Sequence, residues 1–370
     1  MKFILWMCVC LMLVVYARPA WAAEYYVSSS GDNAHSGLSR EHAWRTVNYA
    51  AARVRAGDTV FVAGGVYNET VRVRATGEKH KPITFKAIPG EKVVFDGQAR
   101  SLGCAFNIAY KSHLRFDGFY FVEFNGLGNY ELPWSNRTPG NGNSGVFALY
   151  QSHDVQITRC FSDGTGVGYA PSLVIARNCK DLLIRNCVIT SAMGGGLHIL
   201  YSSNMRIENN VFLVPMIYAT VLQNNTGESA VLKNNIFTDN IITKHHVRLL
   251  YNSDPVDAGT QNNCFFVRTS DDERAWNEQL TLKAWIAQLA ATYHQSAGQE
   301  QIIANPGFRA TQGQQPLGRN GQPLFLGDFL LGKQDLDFPD LFVTNPQVIR
   351  RGIGLEPKAF SDFHFHHTSP

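Results

Sequence analysis

The sequence is poor in charge. Charged residues make up 17% of its 370 positions, the formal net charge is +3, and no run of Lys or Arg stands out. Nucleic-acid binding calls for a basic patch or stripe, so no nucleic-acid partner is expected. A mild basic excess is compatible with an acidic substrate without requiring one. Beyond the N-terminus no apolar run is long enough to cross a bilayer, which leaves no integral membrane span there. There are 7 cysteines, none of them in a CxxC pair, so no zinc site is expected.

The one long apolar run sits at the start. Lys2 precedes Phe3–Tyr16, and Ala20-Trp21-Ala22 follows. A charged start, an apolar middle and a small-x-small end describe an export signal. The expectation is a signal peptide over residues 1–22, a single mature domain over 23–370, and a secreted or periplasmic location. Removing the signal leaves Cys104, Cys160, Cys179, Cys187 and Cys264. The number is odd, and buried free thiols pack as small hydrophobes.

What is present in quantity is apolar matter, 45% hydrophobic and 12% aromatic, ample for a large core. Its arrangement repeats. MRIENNVF (Met205–Phe212) alternates apolar and charged residues like a half-buried strand, then meets two asparagines, which are poor strand residues. Copies occur as LLIRNCVI (Leu182–Ile189), AVLKNNIF (Ala230–Phe237) and, more weakly, VQITRCFS (Val155–Ser162). Their central aliphatics, Ile157, Ile184, Ile207 and Leu232, recur about every 25 residues, a solenoid period. A second strand precedes each copy: FALYQS (Phe147–Ser152), LVIARN (Leu173–Asn178), LHILYS (Leu197–Ser202), TVLQNN (Thr220–Asn225) and VRLLYN (Val247–Asn252). Two or more short strands per repeat, with Gly and Asn at the bends, fit a parallel β-helix whose coils stack about 4.8 Å apart.

Strict alternation places Asn186, Asn209 and Asn234 inward with the aliphatics. Stacked there, their amides can hydrogen-bond along the axis. Cys160 and Cys187 fall at equivalent places in successive repeats, as a column of packed thiols or, geometrically, a disulfide. A helix near Arg40–Arg55 is predicted, with Ser39 as N-cap, Trp44, Val47, Ala51 and Val54 on one face, and Gly57 at its end. It would cover the first coil. A second helix, lying on the surface, is predicted from Leu282, Trp285, Ile286, Leu289 and Tyr293.

The stretch YYVSSSGDNAHSGLSREHAWRTVNYAAARVRAGDTVFVAGGVYNETV, followed by PITFKA and VVFDG, resembles the N-terminal module of bacterial proteins of the pectate-lyase-like superfamily. The later LKAWIAQL, ANPGF, DFLL and GIG are similar to the terminal region of the same proteins. The resemblance implies an all-β, right-handed parallel β-helix and a carbohydrate partner. It does not by itself imply an activity.

On such a coil a site forms on an outer strand face. The second-strand set gives an outward column of Ala148, Val174, His198, Thr220 and Arg248, with Tyr150, Arg177, Tyr201 and Tyr251 beside it and Lys244 just ahead of Arg248. Trp134 lies in a Gly/Asn/Pro-rich loop between Asn125 and Ser144 that breaks the spacing. These residue types suit β-elimination on a uronate polymer. A base removes the proton α to the carboxyl, and a cation neutralises the carboxylate as charge develops. His198 or Lys244 is the candidate base, Arg248 the carboxylate partner and Tyr201 the donor to the leaving oxygen, with Tyr150, Arg177, Trp134 and Tyr251 as substrate-binding residues.

Related proteins gather aspartates for calcium. Here Asp163, Asp239, Asp254 and Asp257 are scattered, so no metal and no cofactor is expected, and a calcium-free chemistry is open. Two alternatives stand beside the lyase. A glycoside hydrolase would need two facing carboxyls, for which Asp163 and Glu208 are the candidates. A non-catalytic glycan-binding or surface-structural protein would use the same wall. Lys244-His245-His246 is not read as a metal site, because adjacent strand residues point to opposite faces.

Overall fold

The computed structural model of the chain describes residues 22–97, 102–122, 124, 145–162, 172–190, 196–213, 218–223, 230–239, 248–252, 258–267, 302–303, 308–309, 342–343, 345–351 and 353. Short strands in these residues build three parallel sheets, visited in turn by each coil. Sheet 1 holds seven strands, from Val71–Arg72 through Phe106–Ala109, Gly145–Tyr150, Ser172–Arg177, Leu197–Leu200 and Tyr218–Gln223 to Arg248–Asn252. Sheet 2 holds nine, among them Ser112–Asp117, His153–Thr158, Lys180–Arg185, Ser203–Glu208 and Ala230–Lys233. Sheet 3 holds nine, among them Phe119–Val122, Phe161–Ser162, Val188–Thr190, Val211–Leu213 and Ile236–Asp239.

The repeat read from the sequence is the register of sheet 2. Ile157 pairs with Ile184, Ile184 with Ile207, and Ile207 with Leu232. All four are buried, so the same side chain stacks on itself from rung to rung. The earlier coils are filled by phenylalanines in the same way. Phe85 stacks on Phe116 at 5.5 Å and Phe106 on Phe147 at 5.1 Å. Phe212 lies on Phe237 at 4.8 Å, the spacing of the rungs themselves.

Two corners are tight in the coils from Phe106 to Leu213, and the second of them stays tight as far as Asn263. Between sheets 1 and 2 they are Tyr110–Lys111, Gln151–Ser152, Asn178–Cys179 and Tyr201–Ser202. Between sheets 2 and 3 they are Arg159–Cys160, Asn186–Cys187, Asn209–Asn210, Asn234–Asn235 and Asn262–Asn263. The first residue of every pair is left-handed, with φ from 44° at Gln151 to 58° at Tyr110. Gly118 takes the same conformation, φ 82°, at the equivalent corner one coil earlier. Asparagine reaches this region more readily than other non-glycine residues, which explains its presence at the ends of strands.

The interior ladder exists, but one residue later than expected. Asn210, Asn235 and Asn263 are fully buried. The Asn235 side chain donates to the Ile207 carbonyl at 2.8 Å and accepts from the Asn210 backbone N–H at 2.9 Å. Its Nδ2 also donates to Asn263 Oδ1 at 3.0 Å. The left-handed residue breaks the alternation, so Asn186, Asn209 and Asn234 sit at the bend and their successors turn inward. Earlier in the column the successors are thiols: the Cys187 N–H donates to Asn210 Oδ1 at 2.9 Å. Cys104, Cys160, Cys179, Cys187 and Cys264 are buried and form no disulfide with one another.

The N-terminal helix is shorter than predicted, Val47–Ala51, and its N-cap is Thr46 rather than Ser39. Trp44 has joined the sheet edge opposite Val27 and stacks on Tyr25 at 4.7 Å. The helix start is held by Glu69, whose carboxylate accepts from the Val47 and Asn48 N–H groups at 2.8 Å each. At the other end helix Pro346–Arg350 packs Val348 inward, and Arg351 closes the outer amide row by donating to Asn262 Oδ1 at 2.8 Å. The predicted helix around Leu282–Tyr293, the loop carrying Trp134, the signal segment, and Lys244 lie outside the described residues. Among the described residues no helix is long and apolar enough to cross a membrane.

Candidate functional site

Sheet 1 carries His198. Its Cα partners are Ile175 on the rung before and Val221 on the rung after, and Val221 in turn pairs with Tyr251. The row through His198 therefore reads Ala148, Ile175, His198, Val221 and Tyr251. This corrects the expected column by one residue at Val174 and Thr220 and by three at Arg248. Val174 and Leu197 are fully buried, and Arg248, which pairs with Tyr218, is in backbone phase with the row through them. The bend residues again account for the slip, because spacing counted through them does not keep the strand phase. Tyr251, called a flanking residue, occupies the His198 row itself.

The second outward row of the same face runs Ala109, Tyr150, Arg177, Leu200 and Gln223. Arg177 is thus a diagonal neighbour of His198, about 8 Å away between Cα atoms from the rung and residue spacings. This face is not a bare wall. Ala148 is 1% and Leu200 is 4% exposed. His198 is half-buried, and loss of water lowers its pKa from 6.5 to about 4. The imidazole is neutral at pH 7 and has a lone pair available.

The exposed part of the face is its border with sheet 2. Tyr201 stands at the corner, 45% exposed, with the Arg177 guanidinium 5.4 Å from its ring centre. Tyr110, at the same corner three rungs earlier, is 65% exposed and meets Tyr150 edge-to-face at 5.4 Å. The structure therefore gathers His198, Arg177, Tyr150 and Tyr201 on one face and its edge. Trp134 and Lys244 cannot be added to them from the described residues. Tyr110 was missed, although its place before Lys111-Ser112 matches that of Tyr201 before Ser202-Ser203.

A second cluster was also missed. On sheet 2 the carboxylate of Asp154 is hydrogen-bonded to His113 Nδ1 at 2.6 Å and accepts from Arg115 at 2.8 Å. Partial burial would raise the Asp154 pKa, but the bonds from Arg115 and His113 outweigh it and hold the carboxyl below its ordinary value. His113 and Asp154 occupy a further left-handed column that continues as Asp181 and Asn204. The signal was legible: aligning the sheet 2 strands on their central aliphatics puts these four residues, all with short polar or imidazole side chains, in one column. The cluster clamps two rungs together. Charged and polar residues also stack along the rest of sheet 2. Lys86, Asp117, Thr158, Arg185, Glu208 and Lys233 follow one another across the rungs. Glu208, the hydrolase candidate, accepts from Arg206 at 2.9 and 3.0 Å, around the corner from His198. Asp163 lies outside the described residues, among which no three metal-ligating side chains gather.

Residues 104–265 match the family described as the right handed beta helix region, and residues 42–161 match the one described as chondroitinase B. Over 74 residues the chain is 38% identical to the uncharacterised protein YwoF of Bacillus subtilis (strain 168), a stretch covering 20% of this chain and 16% of that one. The match thus spans well under two thirds of that relative. Among solved structures, a rhamnogalacturonan lyase is 16% identical with TM-score 0.47, covering 67% of each chain. The pectate lyase Pel9A is 14% identical with TM-score 0.36, covering 67% of this chain and 62% of that one. Neither structural likeness is close enough to bear on activity. Three parallel sheets stacked rung on rung, together with the family match across the central coils, make this chain a right-handed parallel β-helix.

Proposed function

We propose that the protein is an exported, polysaccharide-active enzyme that cleaves an acidic glycan by β-elimination on sheet 1. The carrying observation is a neutral imidazole, His198, on the same face as Arg177 one rung away. Arg177 replaces Arg248 in the reading as carboxylate partner, because the register puts Arg177 on the His198 face. In the reaction the base takes the proton α to the uronate carboxyl. The electron pair forms the carbon–carbon double bond as the neighbouring glycosidic C–O bond breaks, and the leaving oxygen takes a proton from Tyr201 or water. With its pKa near 4, His198 is a weak base in the free protein. A uronate carboxylate entering beside it favours the protonated imidazole and raises that pKa toward the working range. Lys244 is the second candidate for the base. The match of residues 42–161 to chondroitinase B supports a polyanionic glycan as substrate class, although it ends before His198.

The test is incubation of the full mature chain with a panel of uronate polymers, read as the new ultraviolet absorbance of the unsaturated product. His198→Ala and Arg177→Ala are each expected to lower kcat/KM about a hundredfold or more. Turnover that survives both substitutions sinks the assignment, and the same assay on Lys244→Ala identifies the base. The burial of Ala148 and Leu200 favours a second reading, a non-catalytic glycan binder, because outward positions around His198 are closed to solvent. No product on any polymer, with one of them still retained, would establish it. A hydrolase would release reducing ends without the new absorbance.

A further inference from the structure

We infer that Tyr110, Tyr150 and Tyr201, with Arg177 among them, form a strip along the corner between sheets 1 and 2 that holds an extended anionic polysaccharide parallel to the solenoid axis. The inference rests on the glycan reading above and adds to it a polymer-binding surface outside the half-buried His198 face.

The first ground is conformational. Tyr110 and Tyr201 have φ of 58° and 50°, in the left-handed region that bulky side chains avoid. The rungs between them fill the same slot with Gln151 and Asn178, the latter well suited to it. A tyrosine there is unfavourable for the backbone, and at 65% and 45% exposure it returns little burial. Strained residues kept at an exposed edge point to a function other than folding.

The second ground is chemical. Arg177, like Arg45 and Arg53, has no carboxylate partner among the described residues, and its guanidinium lies against the Tyr201 ring on the exposed corner. Phenol rings offer flat apolar faces for sugar C–H groups and hydroxyls for sugar hydroxyls, and the guanidinium forms paired bonds with a carboxylate. The third ground is shape. Tyr110, Tyr150, Arg177 and Tyr201 fall on four successive rungs, so the strip is linear, with Tyr110 and Tyr201 about 14 Å apart. A linear, repeating set of contacts fits a linear, repeating ligand. A single-stranded nucleic acid would also stack on aromatic rings, but its phosphates call for several cations, and the strip holds one.

The experiment uses the full mature chain in affinity electrophoresis against polygalacturonate, its carboxyl-reduced counterpart, a uronate trisaccharide and single-stranded oligothymidylate. Tyr110→Asn and Tyr201→Asn place at each corner the residue that already occupies it at Asn178, so their thermal midpoints are expected to equal or exceed the parent's. Each is expected to weaken retention on polygalacturonate about tenfold, with a much smaller effect on the trisaccharide. Arg177→Leu is expected to bind the charged and reduced polymers alike. The proposal is overturned if folded Asn variants bind the polymer as the parent does, or if Arg177→Leu keeps the charge preference. Parent protein that ignores polyuronates, or prefers oligothymidylate, overturns it equally. Product formation that depends on His198, with retention indifferent to the tyrosines, would end this proposal alone. Retention lost in the tyrosine variants, with no product from the parent, would end the lyase reading alone.

Discussion

Asn235 shows how much a single side chain holds in this coil. Replacing it by Ala removes the donor to the Ile207 carbonyl and the acceptor for the Asn210 N–H, both buried. Each stranded group costs about 1–3 kcal/mol, so Asn235→Ala should lose about 3 kcal/mol or more in a denaturant titration. Asn234→Ala, one residue earlier, gives up the left-handed preference and one half-buried acceptor, for the Asn262 amide at 2.7 Å, and should lose about 1–2 kcal/mol. A similar loss in both would mean that the ladder does not distinguish the two amides. His198 adds a pH dependence. Its pKa is lowered from 6.5 to about 4 in the fold, so between those values the unfolded chain binds a proton that the folded chain does not. The His198 contribution to stability is therefore expected to fall as pH drops from about 6.5 toward 4 and to level off below, where the lowered Asp154 carboxyl begins to lose its own. Thermal midpoints across that window should show the slope in the parent and a shallower one in His198→Phe.

At the scale of elements, the sheet 2 strands were the most legible, because apolar alternation and a fixed period act together there. Ile157, Ile184, Ile207 and Leu232 pair as read. Sheet 1 was read out of phase at Val174 and Arg248, since alternation cannot be carried across left-handed corners such as Asn178 and Tyr201. The first helix was read too long because Trp44 satisfies a helical pattern equally well while serving a strand edge. His113, Asp154 and Arg115 went unread as a cluster because their meeting depends on stacking of rungs, which periodicity places only by row. The clamp they form should matter to its neighbours: Asp154→Ala is expected to cost about 1–2 kcal/mol, since it removes a partly buried acceptor shared by Arg115 and His113. An unchanged midpoint would assign the cluster to solvent-screened pairing of little weight. Glu69→Ala should uncap helix Val47–Ala51 at about 1 kcal/mol.

Taken as one molecule, the coil changes filling along its axis. Phe106 touches Phe85, Phe95, Phe116 and Phe147, whereas the later rungs are closed by amides. Phe106→Ala leaves a cavity between rungs that cannot close without moving the sheets, and should cost about 3–5 kcal/mol. A loss below about 1 kcal/mol would show that the early coils pack loosely. The corners have a wider consequence. In the coils from Phe106 to Leu213 two of the three are held to one or two residues, while the third connection, from sheet 3 back to sheet 1, differs from coil to coil: 123–144, 163–171, 191–196 and 214–217. An extra residue at Asn209–Asn210 would throw the amide row off its neighbours, whereas one added within 163–171 leaves the pairing of Phe161 with Val188 and of Val174 with Leu197 untouched. Over those coils the scaffold thus has a seam at which sequence can be added or exchanged freely, and that seam borders the sheet that carries His198.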